Sequence, residues 1–90
     1  MAYSEADIEK LKSFGLKIKE LREALGLSQL QLSFKADLDR TYIGSLERGY
    51  RNVSLLNIHK LAEALEVPVA ILVDGHPQSD GSEASASPPD

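Results

Sequence analysis

Ser28-Gln29-Leu30-Gln31-Leu32-Ser33-Phe34-Lys35-Ala36-Asp37-Leu38-Asp39-Arg40-Thr41-Tyr42-Ile43-Gly44-Ser45-Leu46-Glu47-Arg48-Gly49 is the stretch that decides the fold. It holds two short helical patterns separated by Asp37-Leu38. Ser28 opens the first as a capping residue, and Gln31, three positions on, can return a hydrogen bond to the cap. That helix is expected to run to about Ala36. Asp39 caps the second, and Gly49 supplies the left-handed residue that closes it.

Outward from this pair, three further helices are expected. Upstream, Ser4 and Asp7 form another capping box. Ile8, Leu11, Phe14, Ile18, Leu21 and Leu25 then recur at spacings of three and four, one apolar stripe. Gly15 falls inside that stripe and marks a candidate break, and Gly26 ends the helix, with Leu27 packing back. Downstream, Ser54 caps a helix with the stripe Leu55, Ile58, Leu61, Ala62 and Leu65. Pro68 starts a short fifth segment through Val73, as suits proline in a first turn. No segment reads as a strand. The expectation is an all-α, five-helix domain.

The chain has 90 residues and no cysteine, so one small core must fold without disulfides or a thiolate zinc site. The apolar run Val67 to Val73 is broken by Pro68 and is far short of the roughly 20 residues of a membrane span. Residues 1–9 contain neither a basic segment nor an apolar run, so no signal peptide is expected and the protein should be cytoplasmic. Residues 75–90, rich in Ser, Pro and Gly, are expected to be a disordered tail. The organisation read from the sequence is thus 1–12 as an N-terminal extension of the first helix, 13–74 as the functional domain, and 75–90 as tail.

A net charge of −4 would discourage a nucleic-acid partner, but its distribution reverses the inference. The four acids Asp74, Asp80, Glu83 and Asp90 account for it, since residues 73–90 contain no Lys or Arg. Residues 10–72 hold all ten basic residues against seven acids, a balance of +3. Phosphates respond to fields within a Debye length of about 10 Å, so local charge is what counts.

On a helical wheel, Arg40, Thr41, Gly44, Ser45 and Arg48 fall within one arc of about 140°. Ile43, Leu46 and Tyr42 lie opposite. One face packs inward, while the other offers two arginines, two hydroxyls and a glycine that leaves room for close approach. Arg can bond guanine O6 and N7 in bidentate fashion, and Thr can bond base edges or meet a thymine methyl. An ordinary solvated face has similar chemistry, and the surrounding sequence must decide between the two.

That surrounding sequence resembles the XRE-type (Cro/repressor) helix-turn-helix DNA-binding family. The resemblance is carried by Ile18-Lys19-Glu20-Leu21-Arg22-Glu23-Ala24-Leu25-Gly26-Leu27-Ser28-Gln29, Tyr42-Ile43, Leu46-Glu47-Arg48-Gly49 and Leu61-Ala62-Glu63-Ala64-Leu65, over roughly residues 13–73. Leu38-Asp39-Arg40-Thr41-Tyr42-Ile43, Arg51-Asn52 and Leu65-Glu66-Val67 look most like controller proteins of restriction–modification systems.

The resemblance implies a repressor-like fold and a regulator that binds double-stranded DNA as a homodimer on a near-palindromic operator. It implies base reading by Arg40, Thr41, Gly44 and Ser45, and backbone or groove contacts by Ser28, Gln29, Tyr42, Arg48, Arg51 and Asn52. It pairs Arg22 with Glu47 as an internal ion pair. The closely spaced apolar residues Val67, Val69, Ile71, Leu72 and Val73, with part of the fourth helix, are the expected dimer interface. Leu30 and Phe34 stand where some relatives carry acids that touch RNA polymerase. Here either the N-terminal extension, with Tyr3 and Ile8, covers them, or they form a partner surface; cover is the expectation. Phage-type and stress-response repressors are alternatives to a controller, and an antitoxin-like interaction module is an alternative of another class. His59 and His76 have no ligating or catalytic company. No catalytic residue, metal, cofactor or small-molecule ligand is expected, and no membrane partner.

Overall fold

The computed structural model describes residues 2–73, which fold as five helices. They are α1 (Glu5–Ala24), α2 (Gln29–Ala36), α3 (Arg40–Glu47), α4 (Leu55–Leu65) and α5 (Val69–Val73). The tail read at 75–90 lies outside the described residues.

Local chemistry sets each start. The capping boxes Ser4–Asp7 and Ser28–Gln31 are both closed, each serine oxygen accepting the backbone N–H three residues on. Asp39 accepts from the N–H groups of Thr41 and Tyr42, and Ser54 accepts from Asn57 N–H. These caps satisfy donors that a first helical turn leaves without partners. The stops use left-handed residues: Gly26 at φ +73° after α1 and Gly49 at φ +81° after α3. Asp37 takes the same conformation between α2 and α3, at φ 55°, while Leu38 N–H bonds Ser33 C=O at 3.0 Å. Asp tolerates this conformation better than most side chains do, so the turn stays tight without a glycine.

Ile18, Leu32, Ile43, Leu46 and Leu61 are fully buried at the centre, one from α1, one from α2, two from α3 and one from α4. The α1 stripe is narrower than the sequence indicates. Ile8 and Leu25 are exposed at its ends, and the buried face is Gly15, Ile18 and Arg22. Likewise Leu55 faces solvent, so the packed stripe of α4 begins with the half-buried Ile58.

Gly15 does not break α1. The helix runs through it, because a Cβ there would lie 2.2 Å from the Leu46 carbonyl oxygen and 2.7 Å from that of Glu47. The missing side chain is occupied by the backbone at the end of α3. Contact there offsets the ~1 kcal/mol by which glycine disfavours a helix interior. Gly49 completes the crossing, since a Cβ on it would meet Lys12 Cα at 2.9 Å.

Candidate nucleic-acid interface

The orientation of α3 is fixed from beneath by one carboxylate. Glu47 Oε2 accepts from Arg22 Nε at 2.7 Å, and its Oε1 accepts from Arg22 Nη2 and Gln29 Nε2, both at 3.0 Å. Arg22 Nη1 donates to the Leu27 carbonyl at 2.9 Å. Thus α1, the α1–α2 turn, α2 and α3 meet at one point. The Arg22 and Glu47 side chains are only 10% and 4% exposed, so the pair is sheltered from water and salt. The hydrogen bond to Glu47 raises the Arg22 pKa above its usual range, against the opposing effect of burial. Bidentate geometry with every partner satisfied is the condition under which a buried pair is held rather than penalised.

Above this brace, Arg40 and Thr41 are exposed at the start of α3 and Ser45 is half-buried one turn later. Ser28, at the cap of α2, is also exposed. Gly44 is not the open gap expected of it. It is buried, with Gln29 Oε1 3.5 Å and Arg48 Nη1 3.7 Å from where a Cβ would stand. Gln29 thus passes over this position at ordinary contact distance as it reaches Glu47.

Beyond α3 the chain sets two arginines on aromatic rings. The Arg48 guanidinium lies 5.2 Å from the Tyr50 ring centroid, and that of Arg51 lies 5.4 Å from the Tyr42 ring. Asn52 is exposed beside them. The candidate surface thus carries three arginine side chains, Arg40, Arg48 and Arg51, with hydroxyl and amide groups between them. Among the described residues no His, Cys, Asp and Glu cluster is arranged to hold a metal ion, and no helix is long and apolar enough to cross a membrane.

Two further expectations differ from what the structure shows. The first is that the N-terminal extension covers Leu30 and Phe34. Leu30 is 48% and Phe34 75% exposed, while Tyr3 and Ile8 are themselves exposed, so that cover is not made. The second concerns Leu72, which is 2% exposed and belongs to the protomer's own core. Only Ile71 and Val73 of α5 turn outward, at 43% and 55%; Val67 and Val69 are half-buried against the core. Asn57, which the sequence did not single out, is a further member of the site. Its Nδ2 donates to the Tyr42 hydroxyl at 3.1 Å.

A short helix with one face in the core, capped at its start and braced by its predecessor, with cationic and hydroxyl side chains outward, defines a helix-turn-helix DNA-binding module. Comparison with known proteins agrees: residues 18–72 match the helix-turn-helix family. The chain belongs to that family. It is 48% identical over 62 residues to the control protein C.BamHI of Bacillus amyloliquefaciens, covering 68% of this chain and 76% of that one. The crystal structure of the restriction–modification controller C.AhdI from Aeromonas hydrophila is similar at 55% identity and a TM-score of 0.68, covering 69% of this chain and 94% of that one. The controller C.Esp1396I, solved as a tetramer with its natural 35 base-pair operator, is 33% identical with a TM-score of 0.65, covering 71% and 84%.

Proposed function

We propose that this protein is a sequence-specific transcriptional regulator of the restriction–modification controller type, binding a near-palindromic DNA operator as a homodimer. The observation that carries the reading is the brace under α3, which fixes a helix whose exposed leading edge is Arg40 and Thr41. In this role α3 lies in the major groove. Arg40, Thr41 and Ser45 read base edges, while Gly44 is buried beneath Gln29 and Arg48 and makes no base contact of its own. Ser28, Gln29, Tyr42, Arg48, Arg51 and Asn52 approach phosphates or the neighbouring groove, which fixes register. The activity is binding alone, with no catalytic step, cofactor or small-molecule ligand, and its place is the cytoplasm. Residues 13–74 form the DNA-binding unit, with 1–12 as its N-terminal extension.

The dimer face is the α4–α5 edge. Ile71 and Val73 of α5 are exposed there, as are Leu55 and Leu56 at the start of α4. A groove of about 600 Å³ adjoins it, floored by Leu11, Phe14, Val53, Ile58 and Leu72. A second copy related by a two-fold axis covers such a patch with itself and places two α3 helices about 34 Å apart, one turn of DNA. The exposed Leu30–Phe34 ridge favours an additional protein contact, and its apolar side chains stand where acids would be needed for the contact some relatives make with RNA polymerase, which argues against activation by that route.

Salt dependence tests the interface. Arg48→Ala and Arg51→Ala should each reduce the slope of log affinity against log salt by about 1 without changing the preferred site. Unchanged slopes in both variants would remove the proposed backbone contacts.

A further inference from the structure

The two arginine–tyrosine pairs at the end of α3 look alike but are anchored differently. Tyr50, under Arg48, is largely exposed, and among the described residues no side-chain hydrogen bond reaches its hydroxyl. Tyr42, under Arg51, is half-buried. Its hydroxyl accepts from Asn57 Nδ2 at 3.1 Å, and Asn57 sits in the first turn of α4, its own N–H bonded to the Ser54 cap at 3.2 Å. One ring is therefore held at both ends, by α3 and by α4, and the other is held at its backbone end alone among the described residues.

We propose that Asn57 is a positioning residue for DNA binding: by holding the Tyr42 hydroxyl it locks the ring as a platform that presents Arg51 to the DNA. The proposal rests on the reading of this face as the DNA interface. A long arginine side chain loses much rotamer freedom when it is immobilised on a phosphate or in a groove. Stacking on a locked ring removes part of that freedom before DNA arrives, so less is lost on binding. Because Tyr50 has no such anchor, Arg48 gains less, and Arg51 is the better prepared of the two. Asn57 itself need not touch DNA.

The test pairs NMR with a double-mutant cycle. The Tyr42 ring current displaces the Arg51 side-chain protons upfield in the free protein. Asn57→Ala should move them toward their positions in Tyr42→Ala, while Tyr50→Phe should leave them in place. Operator affinity should fall about three- to tenfold in Asn57→Ala, the range of one net hydrogen bond. In an Arg51→Ala background the same substitution should change affinity by less than about twofold. Should Asn57→Ala fail to fold, Tyr42→Phe removes the same bond while keeping the ring, and it should give the same shift and the same coupling. Unmoved Arg51 signals, or an equal loss in both backgrounds, would overturn the proposal. If Arg51→Ala weakens binding but neither Asn57→Ala nor Tyr42→Phe does, the relay fails and the DNA face stands. If Arg51→Ala has no effect on affinity, the role of Arg51 fails and takes the relay with it.

Discussion

At the α1–α3 crossing, backbone lies against backbone. Gly15 and Gly49 leave no side chain between the two segments, and the Arg22–Glu47 pair closes the gap a little further along α1. At the α4–α5 edge the reverse holds, with Leu55, Leu56, Ile71 and Val73 turned to water. The first region is closely packed, and it sets the angle of the helix proposed to enter DNA. The second leaves apolar surface that the protomer cannot bury itself, which a second copy can. Close packing is thus concentrated under the helix proposed to read DNA, and unburied apolar surface is left at the proposed dimer face.

The sharpest way to break this contrast is at Glu47. Glu47→Ala leaves the Arg22 guanidinium buried without its partner and should lower unfolding free energy by about 3–5 kcal/mol, read by chemical denaturation. A loss below about 1 kcal/mol would place the pair with the exposed Lys35–Glu66 contact, of a kind that contributes little. Gly15→Ala comes next. The new methyl would collide with α3 backbone, so stability should fall by about 1–3 kcal/mol although alanine favours helices. A neutral or stabilising result would mean that α1 and α3 can move apart at no cost. At the other region Ile71→Asp should weaken the dimer in sedimentation and reduce operator affinity about tenfold, and it should lower the melting temperature only at protein concentrations where the wild type is dimeric. A wild-type monomer at micromolar concentration that binds one half-site tightly would remove the assembly role from this edge.

The two regions also differ in how far they could be read from sequence. The capped helix starts and the glycine stops after α1 and α3 were legible, because a cap such as Ser28–Gln31 or Asp39 involves residues at most three apart, whereas the left-handed Glu66 that ends α4 was not. The outward arc of α3 was legible in the same way, from a period within one segment. Gly15 was not, since what fills its missing side chain comes from residues 46 and 47, more than thirty positions away. For the same reason Gly44 looked open, because Gln29 reaches it from another helix. In α5 the apolar residues were visible, but five residues are too few to show which of Ile71 and Leu72 points inward. Asn57 had a faint signal, a polar residue on the inward half of α4, but its partner Tyr42 could be known only once both helices were placed.

Selection of bound fragments from random DNA, for the wild type and for Arg40→Ala, decides whether α3 reads bases. The wild type should select a near-palindrome with half-sites about 34 Å apart. In Arg40→Ala the same palindrome should persist but lose preference at one guanine per half-site, where a bidentate contact discriminates by ~1–3 kcal/mol. A wild type with no preferred sequence, or a variant that loses affinity equally on every sequence, would contradict base reading by α3.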